Sequence, residues 1–164
     1  MTDETLEQTI RRLAAIEDIR RVKAAYLRCV DLRLWDEFAD LFTDDLEVDF
    51  AESTSHPAGK EQFLASVANH FVTGYSVHHG HLGEIDVIDD THATAIWPMY
   101  DRVESPADSG YVSHEGWGHY TESYRKGDDG RWRIARSRLS RIHRVVLPQS
   151  DDVPNTHETG GGMR

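Results

Sequence analysis

The chain is poor in cysteine, in positive charge and in long apolar runs. Its 164 residues hold one cysteine, Cys29. A single thiol closes no intrachain disulfide, and an unpaired one suits a reducing compartment. The opening segment MTDETLEQTIRR is acidic and polar and lacks the apolar stretch of a secretory leader, so a cytoplasmic location is the expectation. No run approaches the roughly 20 apolar residues of a membrane helix. Lys and Arg number 18 against 29 Asp and Glu, a formal net charge of −11. Such an excess repels phosphate backbones and anionic lipid, which sets nucleic-acid and membrane-surface roles aside. Hydrophobic residues make up 38% and aromatics 9%, lean for a globule but well above disordered composition. The length fits one domain with a real core.

The first half reads as helical. Thr5 and Gln8 form a T-x-x-Q capping box. Leu6, Ile10, Leu13, Ile16, Ile19, Val22, Tyr26 and Val30 then recur at steps of three and four, one stripe on a long helix. A second helix is expected over 34–42 with Trp35, Phe38, Leu41 and Phe42 inward, and a third over 60–71 with Phe63, Leu64, Val67 and Phe71 inward. Leu46, Val48 and Phe50 alternate with acids as a strand. The second half reads as strands over 77–88, 92–103, 113–126 and 132–147, the last two joined by the turn Gly127-Asp128-Asp129-Gly130. Helices followed by antiparallel strands make an α+β domain over 1–147: a curved antiparallel or mixed sheet, wrapped by the N-terminal helices into a cone-shaped barrel. The segment 148–164 has no periodicity and is expected to be a flexible C-terminal tail, or an arm that orders on a neighbouring subunit.

Three histidines crowd one strand: His78, His79 and His81. They read as a polar surface strand, as a metal site in which His79-x-His81 with Glu84 resembles a cupin motif, or as acid–base groups. The spacing to Glu84 is short for the metal motif, and a long N-terminal helix does not fit it, so no metal is expected. An acid–base histidine works best beside a carboxylate that fixes its tautomer. Asp31, where the first helix runs out, is the candidate; a solvent-exposed Asp there would oppose the helix dipole. Asp101 follows Ala93, Ala95, Trp97 and Met99 on one strand face, at a rim or in a pocket. Tyr26 lies on the apolar helix stripe, where most tyrosines are core residues with one partner for the hydroxyl. Six arginines from Arg131 to Arg144 crowd the last strand, usually a solvated face. Alternation places Arg141 with Ala135 and Leu139, which makes it the inward one.

The strings Tyr26-Leu27-Arg28-Cys29-Val30-Asp31, Trp35-Asp36, His78-His79-Gly80-His81-Leu82-Gly83-Glu84-Ile85, Ala95 to Asp101, Gly118-His119-Tyr120-Thr121-Glu122-Ser123-Tyr124 and Trp132-Arg133-Ile134 with Leu139-Ser140-Arg141 resemble, in order and spacing, the SnoaL-like group of the nuclear transport factor 2-like superfamily. The likeness runs over residues 10–145 and points toward lyases of the bile acid 7α-dehydratase and scytalone dehydratase type. It implies a cofactor-free enzyme that forms homo-oligomers, a trimer before a dimer. It also implies the site residues His78, Asp31, Tyr26, Asp101 and Arg141. One position departs: where the dehydratases carry a tyrosine at the end of the first strand, this chain has Phe50. Alternation groups His79 and His81 with Val77, Ile85 and Val87, whereas the resemblance selects His78; a bulge near Gly80 or Gly83 reconciles the two, and His79 stays as the alternative.

These readings predict a lyase that removes water from a small, apolar, polycyclic or polyketide-like hydroxy-carbonyl compound. Phe50, Trp97 and Met99, with His79 and His119, are the expected substrate contacts. Proton shuttling without loss of water, as in a ketosteroid isomerase or polyketide cyclase, uses the same residues. A non-catalytic binding or assembly domain is the reading from another class.

Overall fold

The computed structural model describes residues 5–50, 59–149 and 153. Helix α1 spans Leu6–Leu32, α2 Trp35–Ala39 and α3 Lys60–His70. The strands are β1 (Phe42–Asp49), β2 (Tyr75–Gly80), β3 (Glu84–Val87), β4 (His92–Glu104), β5 (His114–Lys126) and β6 (Trp132–Val146). They form one six-stranded sheet of order β1-β6-β5-β4-β2, with β3 also on β4. The sheet is mixed: β1 runs parallel to β6, and every other pair is antiparallel. It curves but does not close; β1 and β2 remain its edges, and α1 and α3 cover the concave side. Among the described residues no helix is long and apolar enough to cross a membrane.

The capping box that opens α1 forms from both sides: the Thr5 hydroxyl accepts from the Gln8 backbone N–H at 3.2 Å, and the Gln8 carbonyl oxygen accepts from the Thr5 N–H at 2.9 Å. No glycine or proline interrupts the next 27 residues. The apolar stripe is buried only from Ala15 onward. Leu6, Ile10 and Leu13, expected inward, are 76%, 57% and 54% exposed, because the first turns of α1 extend past the sheet. Phe42, expected in the second helix, instead starts β1.

The single strand expected over 77–88 is two strands separated at His81–Gly83. Pro98 supplies the reason. Its carbonyl accepts from the His81 N–H at 2.8 Å, so its missing N–H faces the same side, toward the break. There β4 exchanges one partner strand for the other. At Gly83 a β-carbon would fall 2.2 Å from the Trp97 ring.

Strand β6 carries two register slips against β5, at Ala135 and at Ile142. Each extra residue bends the strand and reverses which parity faces inward. Trp132 and Ile134 face the core; after the first slip Ser137, Leu139 and Arg141 do so; after the second, Arg144 does. Arg141 is inward, as expected, but by way of a bulge that simple alternation passes over.

Between α1 and strands β4, β5 and β6 lies a polar cluster sealed from solvent. Lys23 Nζ lies 2.7 Å from Glu122 Oε1, with both side chains almost wholly buried. The Glu122 carboxylate also accepts from the Ser137 hydroxyl at 3.0 Å and from the Tyr124 hydroxyl. Trp97 Nε1 donates to the Tyr124 oxygen at 3.0 Å. Every polar group named here has a partner, as burial requires.

Candidate active site

Between α1, α3 and the sheet lies an open-mouthed cavity of about 430 Å³. Its apolar walls include Val30, Phe50, Phe63, Val67, Phe71 and Leu139; its polar points are Tyr26, His70, His78, Asp101, His114, Tyr120, Arg141 and Arg144. A second concavity, of about 500 Å³, lies on the surface near Asp44, Asp45, Lys60 and Arg125. Its charges are spent on the pairs Lys60–Asp44 and Arg125–Asp45.

Asp31 sits on the last turn of α1 and meets the sheet edge through three contacts. Its Oδ2 accepts from the His78 backbone N–H at 2.8 Å. Its Oδ1 accepts from the Ser76 hydroxyl at 2.9 Å and lies 2.6 Å from His78 Nδ1. A carboxylate only accepts, so Nδ1 carries the proton and the lone pair of the neutral ring is on Nε2. The His78 side chain is 8% exposed and its ring stands edge-on to Phe71, 5.8 Å between centroids. Asp31 is itself held in place. Arg33 caps α1 in the left-handed conformation, φ 58°, and its guanidinium donates to the carbonyls of Asp31 and Gly74 at 2.8 Å and of Phe71 at 2.9 Å. Backbone from α1 and from the segment after α3 thus meets on one buried side chain, which sequence reasoning missed; nothing in the string of residues marks it.

Asp101 is the cross-strand neighbour of His78 in the β2–β4 register, and it forms a bidentate pair with Arg141, Nη1–Oδ1 2.8 Å and Nη2–Oδ2 2.6 Å. They come from β4 and β6 and reach each other over Gly116 of β5. A β-carbon at Gly116 would lie 1.8 Å from Arg141 Nη1 and 2.6 Å from Asp101 Oδ1, so only glycine leaves room for the pair.

Tyr26 and Tyr120 stand side by side at the cavity floor, ring centroids 5.8 Å apart. The Lys23 ammonium lies 3.5 Å from the Tyr120 ring centroid and 4.3 Å from that of Tyr26. Burial first, then neighbouring negative charge, pushes both phenol pKa values well up, so both remain protonated and able to donate.

His70 and His114 also line the cavity, and sequence reasoning missed both. Their signals were present: His70 continues the α3 stripe of Phe63 and Val67, and His114 shares parity with Gly116, Gly118 and Tyr120. Burial, with the positive charges nearby, lowers the pKa of His70 to about 4. That of His114 is lowered as well, by burial first.

Four expected contacts are corrected. His79 faces the outer surface, where its ring lies 5.7 Å from that of Tyr100, because Ser76 and His78 take the inward parity of β2. No bulge is involved: the strand ends at Gly80, so the parity of Ile85 and Val87 does not carry back to it. His119 points outward, between inward Gly118 and Tyr120. Trp97 and Met99 do face inward, but they fill the core beside the Tyr124 cluster and do not line the cavity. His81 and Glu84 are exposed, and among the described residues no group of three His, Cys, Asp or Glu side chains is placed to hold a metal ion.

Residues 11–138 match the family model of the SnoaL-like domain. Probable cyclase FGR4 of Gibberella zeae is 26% identical over 140 residues, which cover 79% of this chain and 92% of that protein. Two solved structures share the fold. One is a Novosphingobium aromaticivorans protein provisionally assigned as a scytalone dehydratase: TM-score 0.76, 20% identity, 90% of this chain and 95% of that one. The other is hexachlorocyclohexane dehydrochlorinase LinA-type3 of Novosphingobium barchaimii: TM-score 0.74, 22% identity, 89% and 99%.

Proposed function

Because the chain belongs to the SnoaL-like domain family, we propose that it is a lyase of the dehydratase kind, acting on a small hydroxy-carbonyl compound with an apolar body. One observation carries the reading: a histidine whose Nδ1 is tied to Asp31 at 2.6 Å lines a mostly apolar cavity. Nε2 of His78 takes the proton from the carbon next to the substrate carbonyl. Asp31 holds the ring in the required tautomer and balances the imidazolium that forms. Tyr26, protonated by virtue of its burial, donates to the departing hydroxyl, which leaves as water when the proton returns from His78. The Asp101–Arg141 pair faces the carbonyl, where the guanidinium offsets charge on the enolate oxygen. Phe50 brings no hydroxyl to the same wall, so the phenols at the cavity floor supply the donor to the leaving group. Each well-placed proton transfer is worth roughly 10²–10⁴-fold.

The test is product analysis with a panel of aromatic β-hydroxy ketones. Wild type releases water and forms the conjugated enone, while His78→Ala and Asp31→Ala keep the far-ultraviolet dichroism of the fold and lose turnover. Full activity in either variant refutes the pairing. A second reading, ring closure or isomerisation without loss of water, is favoured by the name of the Gibberella zeae relative. A product isomeric with its substrate would select it, with the same two residues at work.

A further inference from the structure

The basic run at the end of the chain contains one arginine unlike the others. Arg131, Arg133, Arg136, Arg138 and Arg141 each have a carboxylate within 4.0 Å, from Asp40, Asp129, Glu47, Asp49 and Asp101 in turn. Arg144 has none among the described residues. Its Nη2 lies 3.3 Å from Nδ1 of His114. That nitrogen is also 3.0 Å from the Val112 carbonyl. One ring nitrogen cannot donate to a carbonyl and accept from a guanidinium together. The carbonyl contact is the shorter, and it puts the proton on Nδ1, so the guanidinium meets no acceptor there.

The β6 slip at Ile142 puts this arginine on the cavity wall; without it, His143 would turn inward and Arg144 would share the outer face with its paired neighbours. Among the described residues the one carboxylate near this part of the wall, Asp101, lies 4.0 Å from His114 Nε2 and is already paired elsewhere. His70 and His114 are held neutral at physiological pH by burial, and Asp101 is engaged by both nitrogens of Arg141. Tyr111, its ring 4.3 Å from that of His70, completes the rim.

We propose that Arg144 is the anion-binding end of the cavity, and that the substrate carries a carboxylate there. Building on the hydroxy-carbonyl reading above, this makes the substrate an amphiphilic acid: a carboxylate at the mouth on Arg144, an apolar body along Phe50, Val67 and Leu139, and the reacting carbons at His78. Arg144 faces Gly116, Gly116 faces Asp101 and Asp101 faces His78 in the sheet register, so three strand spacings, roughly 14 Å, separate the backbones of Arg144 and His78, a gap that the arginine side chain and one or two fused rings fill together. A planar guanidinium suits a carboxylate through two parallel hydrogen bonds.

The test is binding and needs no turnover. Calorimetry compares 2-naphthoate with 2-naphthamide, the same ring system without the charge. Wild type is expected to prefer the acid at least 10-fold, with the preference falling as salt rises. Arg144→Gln is expected to bind the two equally, Arg144→Lys to keep part of the preference, and Arg136→Gln, outside the cavity and paired with Glu47, to keep all of it. Because the readout is affinity for an inert acid, it stands or falls apart from the proton-transfer chemistry. Equal affinities in wild type, no measurable binding of the acid, or a preference that survives Arg144→Gln overturns the proposal.

Discussion

His78 of β2 and Asp31 of α1 meet at 2.6 Å, 47 residues apart in sequence, and the carboxylate also holds the backbone N–H of the same histidine. The contact therefore fixes the strand and the ring together. Asp31→Asn keeps the size of the side chain but offers Nδ1 an amide in place of a carboxylate, so the ring is free to take the other tautomer. Turnover is expected to fall roughly 10²–10⁴-fold with little change in melting temperature. Steady-state kinetics and a thermal melt on the same sample check both halves.

Gly116→Ala places a methyl group where the Asp101–Arg141 pair now lies. One of the two side chains must move, and the overpacking is expected to cost about 1–3 kcal/mol. Activity falls with it, because the guanidinium leaves its position. Chemical denaturation gives the first quantity; a structure of the variant shows which partner has moved.

Lys23 and Glu122 test the buried polar cluster separately. Lys23→Met leaves a buried carboxylate without its cation and is expected to cost about 3–5 kcal/mol. The double variant Lys23→Met/Glu122→Gln removes both charges and is expected to recover much of that loss. Urea denaturation of the two variants and wild type supplies the comparison.

Acid weakens the fold through His70. Its folded pKa of about 4 lies below the 6.5 of a free imidazole, so between those values the unfolded chain binds a proton that the native state refuses. Stability is therefore full above about pH 6.5 and falls as the pH drops toward 4, by at most about 3 kcal/mol from this group. His114, shifted in the same direction, adds to the loss. His70→Gln is expected to flatten the decline over that range, measured by denaturation midpoints at several pH values.

The order of elements was legible in the residues, because capping chemistry, three- and four-residue spacing and strand alternation each act over short distances. The expectation of an α+β fold with a curved, helix-wrapped sheet rested on element order, that of a SnoaL-like family on motifs spread over the whole length, and both hold, although the sheet stays open and makes no closed barrel. What escaped depends on tertiary context. Leu6, Ile10 and Leu13 carry the right period, but nothing local records that the sheet ends before they do. Pro98 on β4 interrupts pairing at His81–Gly83, a relation between segments distant in sequence. The two slips in β6 decide that Arg141 and Arg144 both turn inward, and a single-strand pattern does not contain them. Arg33 adopts a backbone conformation that favours glycine, held by three carbonyls that only the fold assembles.

The most direct measurement of the central claim is the tautomer of His78, read by proton–nitrogen correlation spectra of histidine-labelled protein at pH 8.5, with His78→Gln to assign the signal. A proton on Nδ1 and a bare Nε2 are expected in wild type, with loss of that preference in Asp31→Asn. A proton found on Nε2 in wild type would contradict the claim.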